Sequence, residues 1–200
     1  MKVILIRHGR TDGNVLGKYM GRTDEPLSKM GEMEVASMGS FLEIEKVVSS
    51  PMARATDTAR LLFPNAYLDI CTDFCEMDFG DFEGRSAEDM RDDAEYMKWV
   101  DSMCTSSPPN GENLEAFKER TCRAFDLKVR QSIFFKEKCL VIVAHGGTIM
   151  AVMERYALPA RPYFEWHVKN CCGYSVTLDE NKWMKEPFFE DWRETESPCR

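Results

Sequence analysis

Leu140-Val141-Ile142-Val143-Ala144-His145-Gly146-Gly147 is the stretch on which the fold turns. Five apolar residues in an unbroken run read as a strand covered on both faces, as strands between helix layers are. The run stops at a histidine and two glycines, and Thr148 to Tyr156 then reads as a helix ended by Pro159. The same device opens the chain, where the apolar run from Lys2 to Arg7 is followed at once by His8 and Gly9. Val47-Val48-Ser49 forms another short strand, closed by Pro51, and a helix over 52–63 follows it up to Pro64. Ala66 to Ile70 reads as a strand, and Tyr174 to Leu178 alternates like one.

Helical stretches fill the intervals. Ser28 is placed to cap a helix with Val35, Met38, Phe41 and Leu42 on its apolar side. Two more run over 86–103 and 113–135, divided by Ser106-Ser107-Pro108-Pro109-Asn110-Gly111. Phe74 to Gly84, aromatic and acidic, reads as an ordered loop. Strands alternating with helices predict an α/β sandwich with a largely parallel sheet. In such sheets ligands sit beyond the carboxyl ends of the strands, which is where His8 and His145 stand.

With 200 residues, the chain is expected to form one domain, 1–200. A small helical lid is expected around 86–115, and a polar tail that frays from about 190. Lys and Arg total 26 against 34 Asp and Glu, a formal net charge of -8, which argues against nucleic acid and anionic membranes as partners. Four apolar residues after Met1-Lys2 are too few for a signal peptide or a membrane span, so a cytoplasmic protein is expected. Eight cysteines without export signal or metal-ligand spacing read as reduced, mostly buried thiols, and no metal or cofactor is expected. Met30, Met33 and Met38 read as core filler, and His167 as a structural residue.

Both strand-end histidines leave into glycine turns whose backbone N–H groups, Gly146 included, can approach an anion. Arg7 finishes a buried strand with a planar fork suited to phosphate. Arg54 lies in the first turn of a helix that follows a strand. Together Arg7, His8, Arg54 and His145 read as a pocket for a phosphoryl dianion. An acid to protonate the leaving oxygen is required as well, and Glu76, Asp78, Asp81 and Glu83 all qualify locally.

Five pieces, in order, resemble the histidine phosphatase superfamily, the phosphoglycerate-mutase-like group. They are Arg7-His8-Gly9-x-Thr11-x-x-Asn14, Pro26-Leu27-Ser28-x-x-Gly31, Ser49-Ser50-Pro51-x-x-Arg54-Ala55-x-x-Thr58-Ala59, Glu76-x-x-Phe79-Gly80-x-x-Glu83-Gly84 and Ala144-His145-Gly146-Gly147. The resemblance implies a three-layer α/β/α sandwich with a mostly parallel central sheet. It implies His8 as nucleophile, Glu76 as acid and base, and Arg7, Asn14, Arg54, His145 and Gly146 as phosphate ligands. Arg10 departs from the family pattern, either facing solvent or adding charge at the mouth. The implied activity is metal-independent hydrolysis of a small phosphorylated metabolite through a phosphohistidine. Cofactor-dependent phosphoglycerate mutation is the alternative. The loops at Glu76–Gly84 and Pro108–Phe117 resemble those of the α-ribazole phosphatases of cobalamin assembly, which points to α-ribazole 5′-phosphate. Trp99 and Met103 stand near that substrate or in the core. A cysteine-based redox or metal module, or an inactive sensor of phosphorylated ligands, would be the competing classes.

Overall fold

The strands β1 (Lys2–Arg7) and β4 (Cys139–Ala144) lie side by side and parallel, so that Arg7 is level with Ala144. This computed structural model describes residues 1–195. The remaining strands are β2 (Lys46–Ser49), β3 (Tyr67–Ile70), β5 (Gly173–Thr177) and β6 (Asp191–Thr195), in the order β3-β2-β4-β1-β5-β6. The first four of that order are mutually parallel, and β5 and β6 add antiparallel pairs at one edge.

Alternation along the strands splits the core in two. Val3, Leu5, Val48, Leu140 and Ile142 face one helix layer, formed chiefly by α5 (Leu114–Phe134) and α6 (Gly146–Tyr156). Ile4, Ile6, Val47, Val141 and Val143 face the other, formed by α2 (Lys29–Ser37) and α3 (Ala53–Leu62). Both faces of the central strands are therefore dry, which is why their sequences are apolar without interruption. The architecture is the three-layer α/β/α sandwich expected. Short helices α1 (Asp12–Val15), α4 (Ala94–Asp101) and α7 (Glu180–Trp183) complete the described α-helices, and three 3-10 turns lie at Thr72–Phe74, Gly80–Phe82 and Tyr163–Trp166.

Several expectations need correcting. The helix predicted over 86–103 is confined to α4. Ser86 and Asp89 bond each other's backbone N–H groups, at 2.8 and 3.1 Å, and hold a turn instead. Asp93 then caps α4 through the N–H of Glu95. Helix α2 stops at Ser37, since Gly39 takes φ +86, and Phe41 reaches Phe63 from the following loop while Leu42 is exposed. Met30 and Met33 are exposed on α2, which turns only Gly31 and Val35 fully inward. Met103 is 75% exposed at φ 52, outside any core.

The tail forms a strand over Asp191–Thr195 rather than fraying from about 190. β6 pairs with β5, and Trp192 packs edge-on to Trp166 at 4.9 Å while its Nε1–H donates to Leu158. Cys199 lies outside the described residues. Cys71, Cys75, Cys104, Cys122, Cys139 and Cys171 are free thiols; Cys75, Cys122 and Cys171 are buried and the other three partly so. Among the described residues, no helix is long and apolar enough to cross a membrane, and no cluster of His, Cys, Asp or Glu is arranged to hold a metal ion.

Candidate active site

The parallel pairing of β1 and β4 makes His8 and His145 neighbours at the carboxyl edge of the sheet. The His8 N–H extends the ladder by donating to the Ala144 carbonyl at 2.9 Å. The two imidazoles meet edge to face with ring centroids 5.1 Å apart. Both are buried.

His8 Nδ1 lies 2.7 Å from the Gly9 carbonyl oxygen. A carbonyl can only accept, so Nδ1 carries the proton and Nε2 keeps a bare lone pair. Burial, then the Arg54 and Arg7 charges, hold this imidazole well below its ordinary pKa and keep it neutral. The turn beneath it is fixed from two sides: the Gly9 N–H donates to Thr58 Oγ1 at 2.9 Å, and Asn170 Nδ2 donates to the His8 carbonyl at 3.0 Å. A Cβ at Gly9 would come within 2.6 Å of Val35, so the turn admits no side chain there without displacement of α2.

His145 is the opposite tautomer. Its Nδ1 accepts from Arg54 Nε at 3.3 Å, so its Nε2–H donates to Ser50 Oγ at 2.7 Å. Burial and the Arg54 charge hold it neutral too.

Arg54 opens α3 and is fully buried. Besides His145, its guanidinium donates to the carbonyls of Thr23 at 2.8 Å, Met20 at 3.1 Å and Gly21 at 2.7 Å. Burial lowers its pKa, opposed by the charges of Glu76, Asp24, Glu83 and Glu25. Glu83 braces the same loop from the other side, accepting from the N–H groups of Gly21, Arg22 and Thr23.

Arg7 differs. Its Nη1 donates to the Val168 carbonyl at 2.7 Å, but its buried Nε has no partner among the described residues. The guanidinium rests against Gly146, the first residue of α6, whose N-terminus has no side-chain cap. An unpaired buried N–H beside an uncapped helix N-terminus presents donors whose chemistry suits an anion.

Glu76 is buried in this wall, with its oxygens accepting the Met77 and Gly147 N–H groups at 2.9 Å each. Burial raises its pKa, and the two bonds and the arginine charges only partly offset it. A Cβ on Gly147 would lie 2.2 Å from Glu76 Oε1, so glycine is required for the carboxyl to dock there.

A cavity of about 280 Å³ opens above these groups. Its polar floor is Arg7, His8, Asn14, Glu76, Gly146 and Gly147, and its apolar wall includes Tyr19, Phe79, Trp99, Met150 and Phe164. Asn14 Oδ1 accepts from the Thr11 N–H at 3.3 Å and from Asn170 Nδ2 at 3.1 Å, which leaves its Nδ2 group as the donor it can offer the cavity. Of the seven residues singled out from sequence, Arg7, His8, Asn14, Glu76 and Gly146 line the cavity; Arg54 and His145 pack directly behind it. Arg10 is outside, exposed and paired with Glu34 at 3.0 Å.

Sequence reading missed three residues here. His167 lies at the cavity with its Nε2 3.4 Å from Arg7 Nη1, and Tyr163 stands beside Glu76 across Gly147. Asn170 ties His8 to Asn14. All three arrive between Pro159 and β5, Tyr163 on a single 3-10 turn (Tyr163–Trp166) and the other two on irregular backbone, where no periodicity marks them.

The histidine phosphatase superfamily (branch 1) matches residues 3–190. Over 188 residues the chain is 31% identical to the adenosylcobalamin/alpha-ribazole phosphatase of Escherichia coli K12, covering 90% of this chain and 91% of that one. It is also 31% identical to the uncharacterized phosphatase PhoE of Bacillus subtilis, covering 90% of each. The crystal structure of the alpha-ribazole phosphatase from Shigella flexneri superposes with a TM-score of 0.82 at 26% identity, covering 100% of this chain and 99% of that one. The chain belongs to the histidine phosphatase superfamily and is an enzyme of the phosphatase class.

Proposed function

We propose that the protein hydrolyses a small phosphomonoester through a phosphohistidine on His8. The observation that carries this is the His8–Gly9 hydrogen bond, which leaves Nε2 unprotonated over a floor that offers Arg7 Nε unpaired.

In the first step the Nε2 lone pair attacks phosphorus, the ester P–O bond breaks, and Glu76 gives its proton to the departing alkoxide. The raised pKa of Glu76 is what keeps that proton available. In the second step Glu76, now a carboxylate, takes a proton from water as the water oxygen attacks phosphorus. The P–N bond breaks and returns neutral His8 with inorganic phosphate. Arg7, the Asn14 amide, the Gly146 end of α6 and, behind them, Arg54 and His145 hold the charge on the equatorial oxygens. These fixed cations and dipoles supply the electrostatics without a metal ion.

The substrate we propose is α-ribazole 5′-phosphate, on two grounds: the E. coli and Shigella relatives carry that activity in their names, and an aromatic base suits the Tyr19, Phe79, Trp99 and Phe164 wall. Trp99 and Cys104 come from the 86–115 segment, which we read as a lid over the substrate. The free thiols fit a reducing, cytosolic location, and the charge of -8 fits neither nucleic acid nor an anionic membrane as partner. The test is a phosphomonoester panel with α-ribazole 5′-phosphate and phosphoglycerates, combined with acid quench of labelled substrate. Label recovered as an acid-labile phosphoramidate on His8 supports the reading; label on serine, aspartate or cysteine overturns it.

A further inference from the structure

Arg120, in the second turn of α5, has all its donors engaged. A guanidinium offers five N–H groups. Nη1 donates to the Asp73 carbonyl at 2.7 Å and the Cys75 carbonyl at 2.9 Å, and Nη2 to the Glu76 carbonyl at 3.1 Å. The other two close a fork on Glu112, Nε to Oε1 at 2.6 Å and Nη2 to Oε2 at 2.8 Å. Glu112 is itself tied to the same stretch: its N–H donates to the Asp78 carbonyl at 2.8 Å, and its Oε2 accepts the Asp78 N–H at 3.4 Å.

This pair serves neither substrate nor solvent. Arg120 does not line the cavity and has no N–H left for an anion. The side chains are only 14% and 17% exposed, unlike a surface ion pair. What the pair grips is the backbone from Asp73 to Asp78, with Glu76 within it. The Glu76 carboxyl is gripped from the opposite side by the Met77 and Gly147 N–H groups. A proton donor must stand within hydrogen-bond reach of the leaving oxygen, and a displacement of about 1 Å costs rate steeply.

We propose that Arg120 and Glu112 form a clamp that positions the acid/base carboxyl of Glu76, an inference that rests on the Glu76 assignment above. Lysine at 120 keeps the charge but cannot hold three carbonyls and a forked carboxylate together. Glutamine at 112 keeps the shape but gives up the charge and one acceptor.

The experiment compares Arg120→Lys, Glu112→Gln and Glu76→Gln with an alkyl phosphate and with 4-nitrophenyl phosphate, whose leaving group needs no proton. Vanadate binding and circular dichroism accompany the kinetics. For the clamp variants kcat/KM, which reports only the steps up to departure of the leaving group, falls about 10- to 100-fold on the alkyl ester and changes by less than about 3-fold on the aryl ester, and vanadate affinity stays within about 2-fold. The alkaline limb of the alkyl pH profile shifts as well, which loss of stability alone would not produce. Equal losses on both esters, or full alkyl activity in both variants, overturn the clamp. Should Arg120→Lys not fold, Glu112→Gln decides. If Glu76→Gln shows the leaving-group dependence and the clamp variants do not, only the clamp fails; if Glu76→Gln lacks it, the Glu76 assignment falls and the clamp with it.

Discussion

His8 donates its Nδ1 proton to the carbonyl oxygen of the next residue, Gly9, at 2.7 Å. The bond is local to one turn, so the tautomer of the proposed nucleophile is set before any substrate arrives. Burial and two arginines then keep the ring neutral well below the usual imidazole range, which centres near about 6.5. Activity is therefore expected to persist as pH falls through 6 toward 5, with no acid limb at the ordinary histidine value. A kcat/KM profile on an aryl phosphate measures this, and a limb near about 6.5 would place the nucleophile in a more solvated site. His8→Ala removes the proposed covalent route and is expected to lower turnover by several orders of magnitude.

The same neutrality has a cost in stability. His8 and His145 both have lowered folded pKa values. Above the unfolded value of about 6.5 neither state binds the proton and nothing is lost; below it the unfolded chain takes up protons that the folded chain refuses, and stability falls. Thermal melts are expected to drop between pH 7 and pH 5, and His145→Gln, if folded, is expected to flatten part of that drop. A parallel pH dependence in the two proteins would contradict it.

The two arginines differ in what they have left to give. Arg54 spends its bonds on His145 and on the carbonyls of Met20, Gly21 and Thr23, whereas Arg7 keeps Nε unpaired. Arg54→Ala strands three carbonyls that one side chain satisfied, at a cost of about 3 kcal/mol. That corresponds to a Tm lower by roughly 6–12 °C for a chain of this size. Arg7→Lys is expected to weaken phosphate or vanadate binding by about 10-fold or more while leaving Tm nearly unchanged, because a point charge cannot replace the fork. Calorimetry and vanadate titration of both variants read the contrast, and equal Tm losses would remove it.

These distinctions were not all legible in the sequence. His8 and His145 were, because each follows an uninterrupted apolar strand and the sheet's parallel order makes strand ends meet. Glu76 was not separable by local pattern from Asp78, Asp81 and Glu83. Its burial comes from Gly147, seventy-one positions away, whose N–H it accepts. Ser86–Asp93 read as part of one helix running to Met103, yet the Ser86–Asp89 exchange of bonds holds a turn there. β6 read as a frayed tail because its sequence is polar, and only Trp192, docked on Trp166, marks it as packed. Asn170 and His167 reach the site from an irregular stretch whose path is decided by tertiary contacts.

Glu76 should reveal itself through its leaving groups. Glu76→Gln keeps the outline but cannot deliver a proton, so its loss of kcat/KM is expected to be about 100-fold or greater on alkyl phosphates and small on aryl ones, while kcat falls on both because Glu76 also serves the water step. Its raised pKa also has a stability sign: a buried neutral carboxyl stabilises at low pH, and that contribution is lost as pH rises through the folded value. Hence the Tm of Glu76→Gln minus that of the parent is expected to grow from pH 5 to pH 8. Gly147→Ala, whose Cβ would lie 2.2 Å from Glu76 Oε1, should displace the carboxyl and reproduce the leaving-group dependence with Glu76 itself unchanged.

Charge in this site comes from Arg7 and Arg54 and from the end of α6, all covalently part of the chain. Prolonged dialysis against EDTA is expected to leave full activity. Loss with EDTA and recovery with magnesium or zinc would show that a divalent ion shares the phosphate.

Hydrolysis, rather than transfer of the phosphoryl group back to the substrate, is the outcome the cavity mouth favours. A mutase must keep its phosphohistidine dry until the intermediate turns over in place. Here the mouth carries Phe164, 54% exposed, and His167, also exposed, beside a segment whose helix α4 is only eight residues long. On the proposed mechanism water enters by that side, and the Glu76 carboxyl is the group that activates it. Stoichiometric release of inorganic phosphate from monoesters is expected, with no stimulation by 2,3-bisphosphoglycerate. Efficient interconversion of 3- and 2-phosphoglycerate, with phosphate release negligible beside it, would reverse this reading and require the 86–115 segment to close far more tightly over His8 than a single short helix suggests.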